Sequence, residues 1–96
     1  MQIGEVYFVY KIRDGYLMRQ IVGEWVVIPV GGDAARSFLS INDAGALLWQ
    51  ILQHGANKQT LADALVDAYG VPHERAEADA AAFIARLIEG GIAQAI

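Results

Sequence analysis

Residues 39–52 read LSINDAGALLWQIL and place a strand directly before a helix. Apolar side chains alternate up to Ile41, and a helical apolar pattern follows from Asn42 onward with no loop between the two. Asn followed by Asp is a strong N-cap signal, because a short side-chain oxygen accepts a hydrogen bond from a free amide of the first helical turn. The sequence therefore predicts a strand ending at Ile41, a helix starting beyond Asn42, and a binding site where strand and helices meet.

The residues before this junction predict an antiparallel β-meander. YLMRQIV (residues 16–22) and WVVIPV (residues 25–30) are rich in β-branched and aromatic residues, which favour strands. The two-residue link Gly23-Glu24 favours a tight hairpin turn. SFLSI (residues 37–41) supplies the third strand of the sheet.

An additional strand is predicted near the N-terminus, in VYFVYKI (residues 6–12). The turn signal Asp14-Gly15 allows this strand to pair with residues 16–22, making a fourth strand at the edge opposite residues 38–41. Alternatively, the strand pairs with a second copy and gives a homodimer. Because both faces of the segment are apolar, we favour the homodimer.

Three helices are predicted after Asn42, over residues 43–53, 60–70 and 72–89. Thr60 and Asp63 have the spacing of a capping box, and a glycine follows each helix closely. Trp49 lies beside the inward stripe of the first helix. The predicted core stripes are Ala44, Leu48, Ile51 and Leu52; then Leu61, Leu65 and Tyr69; then Ala76, Ala80, Phe83, Ile84, Leu87 and Ile88.

The third helix carries a second, shallow surface of alanines between Arg75 and Arg86. Small side chains let another backbone approach closely, although alanine also has a high helix propensity at exposed positions. Both interpretations stay open from the residues alone. The alanines concerned are Ala78, Ala81, Ala82 and Ala85.

Length and composition indicate one small domain spanning residues 1–96, without a catalytic or metal site. The chain has no cysteine and two histidines, His54 and His73, that are not spaced as metal ligands. Neither a nucleophile motif nor a phosphate-binding glycine loop is present, so we expect no cofactor and no enzymatic activity. The first residues lack a basic start followed by a long apolar run, and no stretch has the length and apolar character of a membrane span, so we expect a cytoplasmic protein.

The charge distribution argues against a nucleic-acid partner. Residues 42–96 carry three basic side chains against seven acidic ones, a net charge of −4. Binding to phosphates needs lysine and arginine clustered on one face, and an acidic helical half repels them.

Three stretches in this order resemble the PqqD-like family, also called RiPP precursor-peptide recognition elements. They are DGYLMRQIVGEWVVIPVG (residues 14–31), SINDAGALLWQIL (residues 40–52) and TLADALVDAYGVPHERAEADAAAFIARLIEGGI (residues 60–92). Two departures are Ala44, where the family usually has threonine, and an N-terminal extension of residues 1–9.

The resemblance implies an α+β winged helix-turn-helix fold, with a meander of three or four strands followed by three helices. It also implies a non-catalytic module that binds the leader of a ribosomally made precursor peptide. The leader adds as a strand and is presented to a modifying enzyme, often a radical S-adenosylmethionine (SAM) protein. The implied site residues are Phe38, Leu39, Ser40 and Ile41 as the strand ladder, Ala78, Ala82 and Phe83 as the groove, and Arg75 and Arg86 as its rim.

Two other functional classes share the predicted features. A winged-helix nucleic-acid-binding regulator has the same fold class but needs a basic recognition helix, which this chain lacks. A structural or oligomerisation subunit is the other alternative.

Overall fold

The computed structural model of the chain describes residues 8–30 and 39–96. Two small antiparallel sheets and three helices form the α+β fold that the sequence predicts, while its winged helix-turn-helix detail stays a prediction. No helix in these two ranges is both long and apolar enough to cross a membrane. The elements are β1 (Val9–Ile12), β2 (Tyr16–Ile21), β3 (Glu24–Pro29), β4 (Leu39–Ile41), α1 (Asp43–Leu52), β5 (Ala56–Asn57), α2 (Lys58–Tyr69), α3 (His73–Glu89) and β6 (Ala93–Ala95).

The first sheet has the order β2-β3-β4 and confirms the predicted meander. Its hairpin turn lies one residue earlier than predicted, because Ile21 pairs with Glu24 and leaves Val22 and Gly23 as the turn. These two residues have φ of 50° and 80°. Two positive φ angles define a type I′ turn, whose twist matches that of the flanking strands. The predicted Gly23-Glu24 link was therefore wrong by one position.

The second sheet has the order β5-β1-β6 and was not predicted. Strand β1 pairs with β6 through Tyr10–Ala95 and Ile12–Ala93, and with β5 through Tyr10–Ala56. The predicted pairing of this segment with residues 16–22 was wrong. The partner strands β5 and β6 have only two and three residues, too few to show the alternation of apolar and polar side chains that identifies a strand.

Strand β1 uses both of its edges within the chain. Strand β5 pairs with Val9 and Tyr10 and strand β6 with Tyr10–Ile12, so little of these edges is left for pairing with a second copy. The homodimer stays a prediction. Residues 1–7, which hold the first part of the predicted strand, lie outside the described residues.

The strand–helix junction forms as the sequence predicts. Asn42 is extended and accepts a hydrogen bond from the Gly45 amide at 2.7 Å, so it caps α1. The Trp25 indole donates to the Asp43 carboxylate at 2.9 Å and ties the first turn of α1 to β3. The angle between sheet and helices is thus held by a cap and a cross-element hydrogen bond.

The core lies between the helices and the inner face of the sheets, and it includes one large residue that the predicted stripe omitted. Trp49 is completely buried, whereas Ala44 and Ile51 are only half-buried. The inward face of α1 is therefore rotated from the predicted stripe toward Trp49. At the ends of α2 and α3, Tyr69 and Ile88 are exposed instead of belonging to the core.

The caps of the later helices correct one prediction and confirm two. Helix α2 starts at Lys58 because Asn57, and not Thr60, is its N-cap: the Asn57 side chain accepts from the Thr60 amide at 2.8 Å. Gly70 ends α2 with a φ of 66°, a left-handed conformation that favours glycine. Helix α3 runs from His73 to Glu89, within one residue of the predicted bounds.

Candidate functional site

A cavity of about 390 Å³ opens between β4, α1 and α3. Apolar side chains from four elements form its floor, and charged side chains of α3 form its rim. We call it the β4–α3 groove. Its lining consists of Ile41, Asn42, Ala44, Gly45, Leu48, Leu65, Arg75, Asp79, Ala82, Phe83 and Arg86.

Close packing at Gly45 holds one side of the β4–α3 groove together. A Cβ atom at this position would lie 3.1 Å from Ile41 Cβ, 3.1 Å from Phe83 Cε1 and 3.3 Å from Asn42 Oδ1. The absence of a side chain therefore lets β4 and α3 approach α1 and brings Phe83 onto the groove floor.

We expect Gly45→Ala to lower the free energy of unfolding by about 1 kcal/mol. Alanine in a helix interior is normally more favourable than glycine by about 1 kcal/mol. Here the new methyl group meets the Ile41 Cβ, which is fixed on a buried strand, and overpacking of this kind costs about 1–3 kcal/mol. Urea unfolding of the variant measures the net effect.

The matched control for this prediction is Gln50→Gly in the same helix. Gln50 is exposed, so this variant reports helix propensity alone and should lose about 1 kcal/mol. If Gly45→Ala instead stabilises the chain by about 1 kcal/mol, the packing of Ile41 and Phe83 against position 45 tolerates a methyl group.

The rim of the β4–α3 groove carries two guanidinium groups and one carboxylate. Arg75 Nε lies 3.7 Å from Asp79 Oδ2, one helical turn away, and both side chains are largely exposed. Arg86 Nη2 donates to the Ser40 carbonyl oxygen at 3.3 Å. The rim therefore has a formal charge of about +1 in a chain whose net charge is −4.

Five of the predicted site residues come together in this groove: Ile41, Arg75, Ala82, Phe83 and Arg86. The other predicted residues lie elsewhere. Leu39 is half-buried against the core, and Ala78 is exposed on α3 outside the lining. Ser40 points its side chain to the opposite face of the sheet, beside Val26 and Ile28. Phe38 lies outside the described residues.

The hydrogen-bond register of the sheet shows where the backbone groups of β3 point. The Val30 amide donates to the Gly15 carbonyl at 2.7 Å, which links β3 to β2. Hydrogen-bonded pairs alternate along an antiparallel ladder, so Val26 also directs its backbone groups toward β2. Trp25 and Val27 consequently direct theirs toward β4.

On β4, this alternation leaves Ser40 with its backbone groups at the open edge. Ile41 and Leu39 are the partners of Trp25 and Val27, whereas Ser40 lies opposite Val26 in a non-hydrogen-bonded position. The hydrogen bond from Arg86 to the Ser40 carbonyl, received from outside the sheet, agrees with this orientation. In the described part of the chain, no strand pairs with this edge of β4.

A second group of polar side chains lies where α2 meets the start of α3, on the surface of the described part of the chain. Gln59 donates to Asp63 at 3.0 Å, and His73 lies 3.4 Å from the same carboxylate, all of them exposed. Residues 8–30 and 39–96 contain no group of three or more histidine, cysteine, aspartate or glutamate residues that could hold a metal ion.

Sequence reasoning missed several residues of the groove, and two of them carried a signal in the sequence. Gly45 interrupts an otherwise strong helix, and a glycine inside a helix often has a packing reason. Asp79 had the i,i+4 spacing to Arg75 that indicates an ion pair. Leu48 and Leu65 belong to helices whose approach to α3 depends on the tertiary fold.

The family described as coenzyme PQQ synthesis protein D (PqqD) matches residues 24–93. This α+β chain therefore belongs to the PqqD family, as the sequence resemblance predicts. A comparison with curated proteins finds no match.

Two solved structures are similar to this chain. One is lasso peptide synthetase B1 complexed with the leader peptide, with a TM-score of 0.72 and 27% sequence identity, covering 88% of this chain and 96% of that chain. The other is TbiB1 in complex with the TbiA(beta) leader peptide, with a TM-score of 0.71 and 21% identity, covering 88% of this chain and 94% of that chain. The second structure, at 21% identity, shows a shared fold.

Proposed function

We propose that this chain is a non-catalytic, single-domain module that binds the leader of a ribosomally made precursor peptide and presents it to a modifying enzyme. We further propose that it acts in the cytoplasm and that the enzyme is a radical SAM protein. The observation that carries the proposal is the open edge of β4 beside the β4–α3 groove. Membership of the PqqD family supports it, and so does the similarity to a structure complexed with a leader peptide.

The open edge suits an extended peptide. An added strand pairs its backbone with the Ser40 N–H and C=O, and such backbone hydrogen bonds supply affinity without depending on sequence. Alternate side chains of the peptide point to the same face, so every second one can enter the groove between Ile41 and Phe83. Backbone pairing and an apolar groove together provide binding and register.

The charge of α3 disfavours the nucleic-acid alternative. A winged-helix regulator places a helix against phosphates, and α3 carries the acidic residues Glu74, Glu77, Asp79 and Glu89 against the basic residues Arg75 and Arg86. An acidic helix of this kind repels a phosphate backbone.

Titration with a leader peptide tests the proposal, and a short precursor gene found beside the gene for this chain would supply its sequence. We expect the Ser40 amide to become protected from hydrogen exchange when this peptide is titrated in, because the amide gains a strand partner. The apparent affinity should change little with salt, since phosphates are not involved. Tight binding that leaves the Ser40 amide unprotected would contradict strand addition, and steeply salt-dependent binding of an oligonucleotide would favour the regulator.

A further inference from the structure

Arg86 occupies the backbone group that an added strand needs. Its Nη2 donates to the Ser40 carbonyl oxygen at 3.3 Å, although 46 positions separate the two residues in sequence. This hydrogen bond crosses the mouth of the β4–α3 groove, from α3 to the open edge of β4. The Ser40 carbonyl therefore already accepts one hydrogen bond, from the side of the open edge, in the peptide-free chain.

We propose that Arg86 is a gate on the open edge and that a carboxylate of the incoming peptide opens it; this inference rests on the function proposed above. An added strand, parallel or antiparallel, pairs with both the N–H and the C=O of Ser40. Because the Arg86 guanidinium lies on the same side of this carbonyl as the incoming strand, the two compete for that position. Because of the gate, strand addition depends on a side chain of the peptide, whereas backbone pairing alone does not distinguish between side chains.

The requirement for a carboxylate follows from the chemistry of the displaced guanidinium. Arginine has five N–H donors, no acceptor and a permanent charge, so it needs a new acceptor when it leaves a carbonyl. A carboxylate is the best acceptor, because its two oxygens match the planar donor fork and make charge-assisted hydrogen bonds.

The neighbouring arginine already has such a partner. Arg75 lies 3.7 Å from the Asp79 carboxylate. Among residues 8–30 and 39–96, Arg86 has no carboxylate within ion-pair distance, and its hydrogen bond goes to a neutral carbonyl. Of the two rim arginines, Arg86 therefore gains more from binding a peptide carboxylate.

Gating and simple charge attraction differ in what they predict for a neutral peptide. If Arg86 only attracts a carboxylate, its removal weakens acidic peptides and leaves neutral ones unaffected. If Arg86 also blocks the edge, its removal strengthens the binding of neutral peptides. The size of that gain is the strength of one exposed hydrogen bond, about two- to tenfold in affinity.

The experiment uses Arg86→Met and two synthetic peptides. Methionine keeps an unbranched apolar stem but has no donor. The peptides are the same extended, threonine- and valine-rich sequence with one central glutamate or glutamine. We expect the parent chain to prefer the glutamate peptide about two- to fivefold, as for an exposed ion pair. Arg86→Met should lose this preference and bind the glutamine peptide about two- to tenfold more tightly than the parent does.

Arg75→Met is the matched control, because it removes a rim cation that does not contact the edge. It should leave the affinity for the glutamine peptide unchanged and keep most of the preference for glutamate. A second readout needs no peptide: the carbonyl carbon resonance of Ser40 should shift in Arg86→Met and not in Arg75→Met, since of these two arginines only Arg86 hydrogen-bonds to this carbonyl.

The outcomes separate the gate from the proposed function. If Arg86→Met does not bind the glutamine peptide more tightly than the parent does, while Ser40→Pro still weakens binding, the gate is overturned and strand addition stands. Binding of both peptides unchanged by Ser40→Pro, or no binding by any variant, would overturn strand addition and the gate with it.

Discussion

Trp49→Ala is expected to lower the free energy of unfolding by about 3–5 kcal/mol. Trp49 is the largest side chain that is completely buried, and it packs with Leu52, Leu61 and Leu87 in the core. Truncation leaves a cavity among residues of several elements, which can collapse only in part. A small domain has a total stability of about 5–15 kcal/mol, so the loss is a large share of it. Urea unfolding of parent and variant measures it.

Trp49→Phe distinguishes how much the volume of the Trp49 side chain and its indole N–H each contribute to the free energy of unfolding. The Trp49 Nε1 atom is buried without a hydrogen-bond partner among the described residues, and a buried unsatisfied donor costs about 1–3 kcal/mol. Phenylalanine removes this donor while keeping most of the ring volume. We therefore expect a loss of about 1 kcal/mol or less, because the smaller volume is offset by the removed donor. A loss as large as that of Trp49→Ala would show that the indole N–H contributes a favourable hydrogen bond.

Features with a local cause were predictable from the sequence. The Asn42 cap follows from one side chain and the amides of the next turn, and the bounds of α3 follow from Pro72 and the Gly90-Gly91 pair. The groove residues Arg75, Ala82 and Arg86 were predictable for the same reason, because helical spacing places them along one side of a single helix.

Features that depend on contacts between distant residues were not predictable. The partners of β1 lie more than 40 positions away, at Ala56 and Ala93, and each belongs to a strand of two or three residues. The turn at Val22-Gly23 was misplaced because the strand register, and not residue preference alone, decides which two residues form it.

The inner face of α1 shows the same limit within one helix. Helical periodicity identified an apolar stripe, but α1 is apolar around most of its circumference, so several stripes fit. The position of β4 and α3 decides which one is buried. That choice covers Trp49 and leaves Ala44 at the groove, where its half-exposed methyl group forms part of the floor.

Ser40→Pro is expected to reduce leader affinity by about 1–3 kcal/mol, about fivefold to a hundredfold, while the fold persists. The Ser40 amide points to the open edge, so proline removes a donor that the peptide-free sheet does not use. Proline is tolerated on an unpaired edge for this reason. A bound peptide would lose that hydrogen bond, and its own carbonyl would be left without a partner. Calorimetric titration with the leader measures the affinity, and urea unfolding measures the stability.

Two control variants, Ser40→Ala and Ile41→Pro, test whether the effect of Ser40→Pro depends on the direction in which the Ser40 amide points. Ser40→Ala keeps the amide and should bind like the parent. Ile41→Pro removes an amide that points toward Trp25 in the β3–β4 ladder, so we expect it to destabilise the folded chain by about 3 kcal/mol or more. The two proline variants differ by one position along the strand, yet one should lose peptide binding and the other the fold. If Ser40→Pro unfolds the chain and Ile41→Pro does not, the register is reversed and the Ser40 amide faces β3. If Ser40→Pro folds and binds the leader with parental affinity, the peptide does not add to this edge.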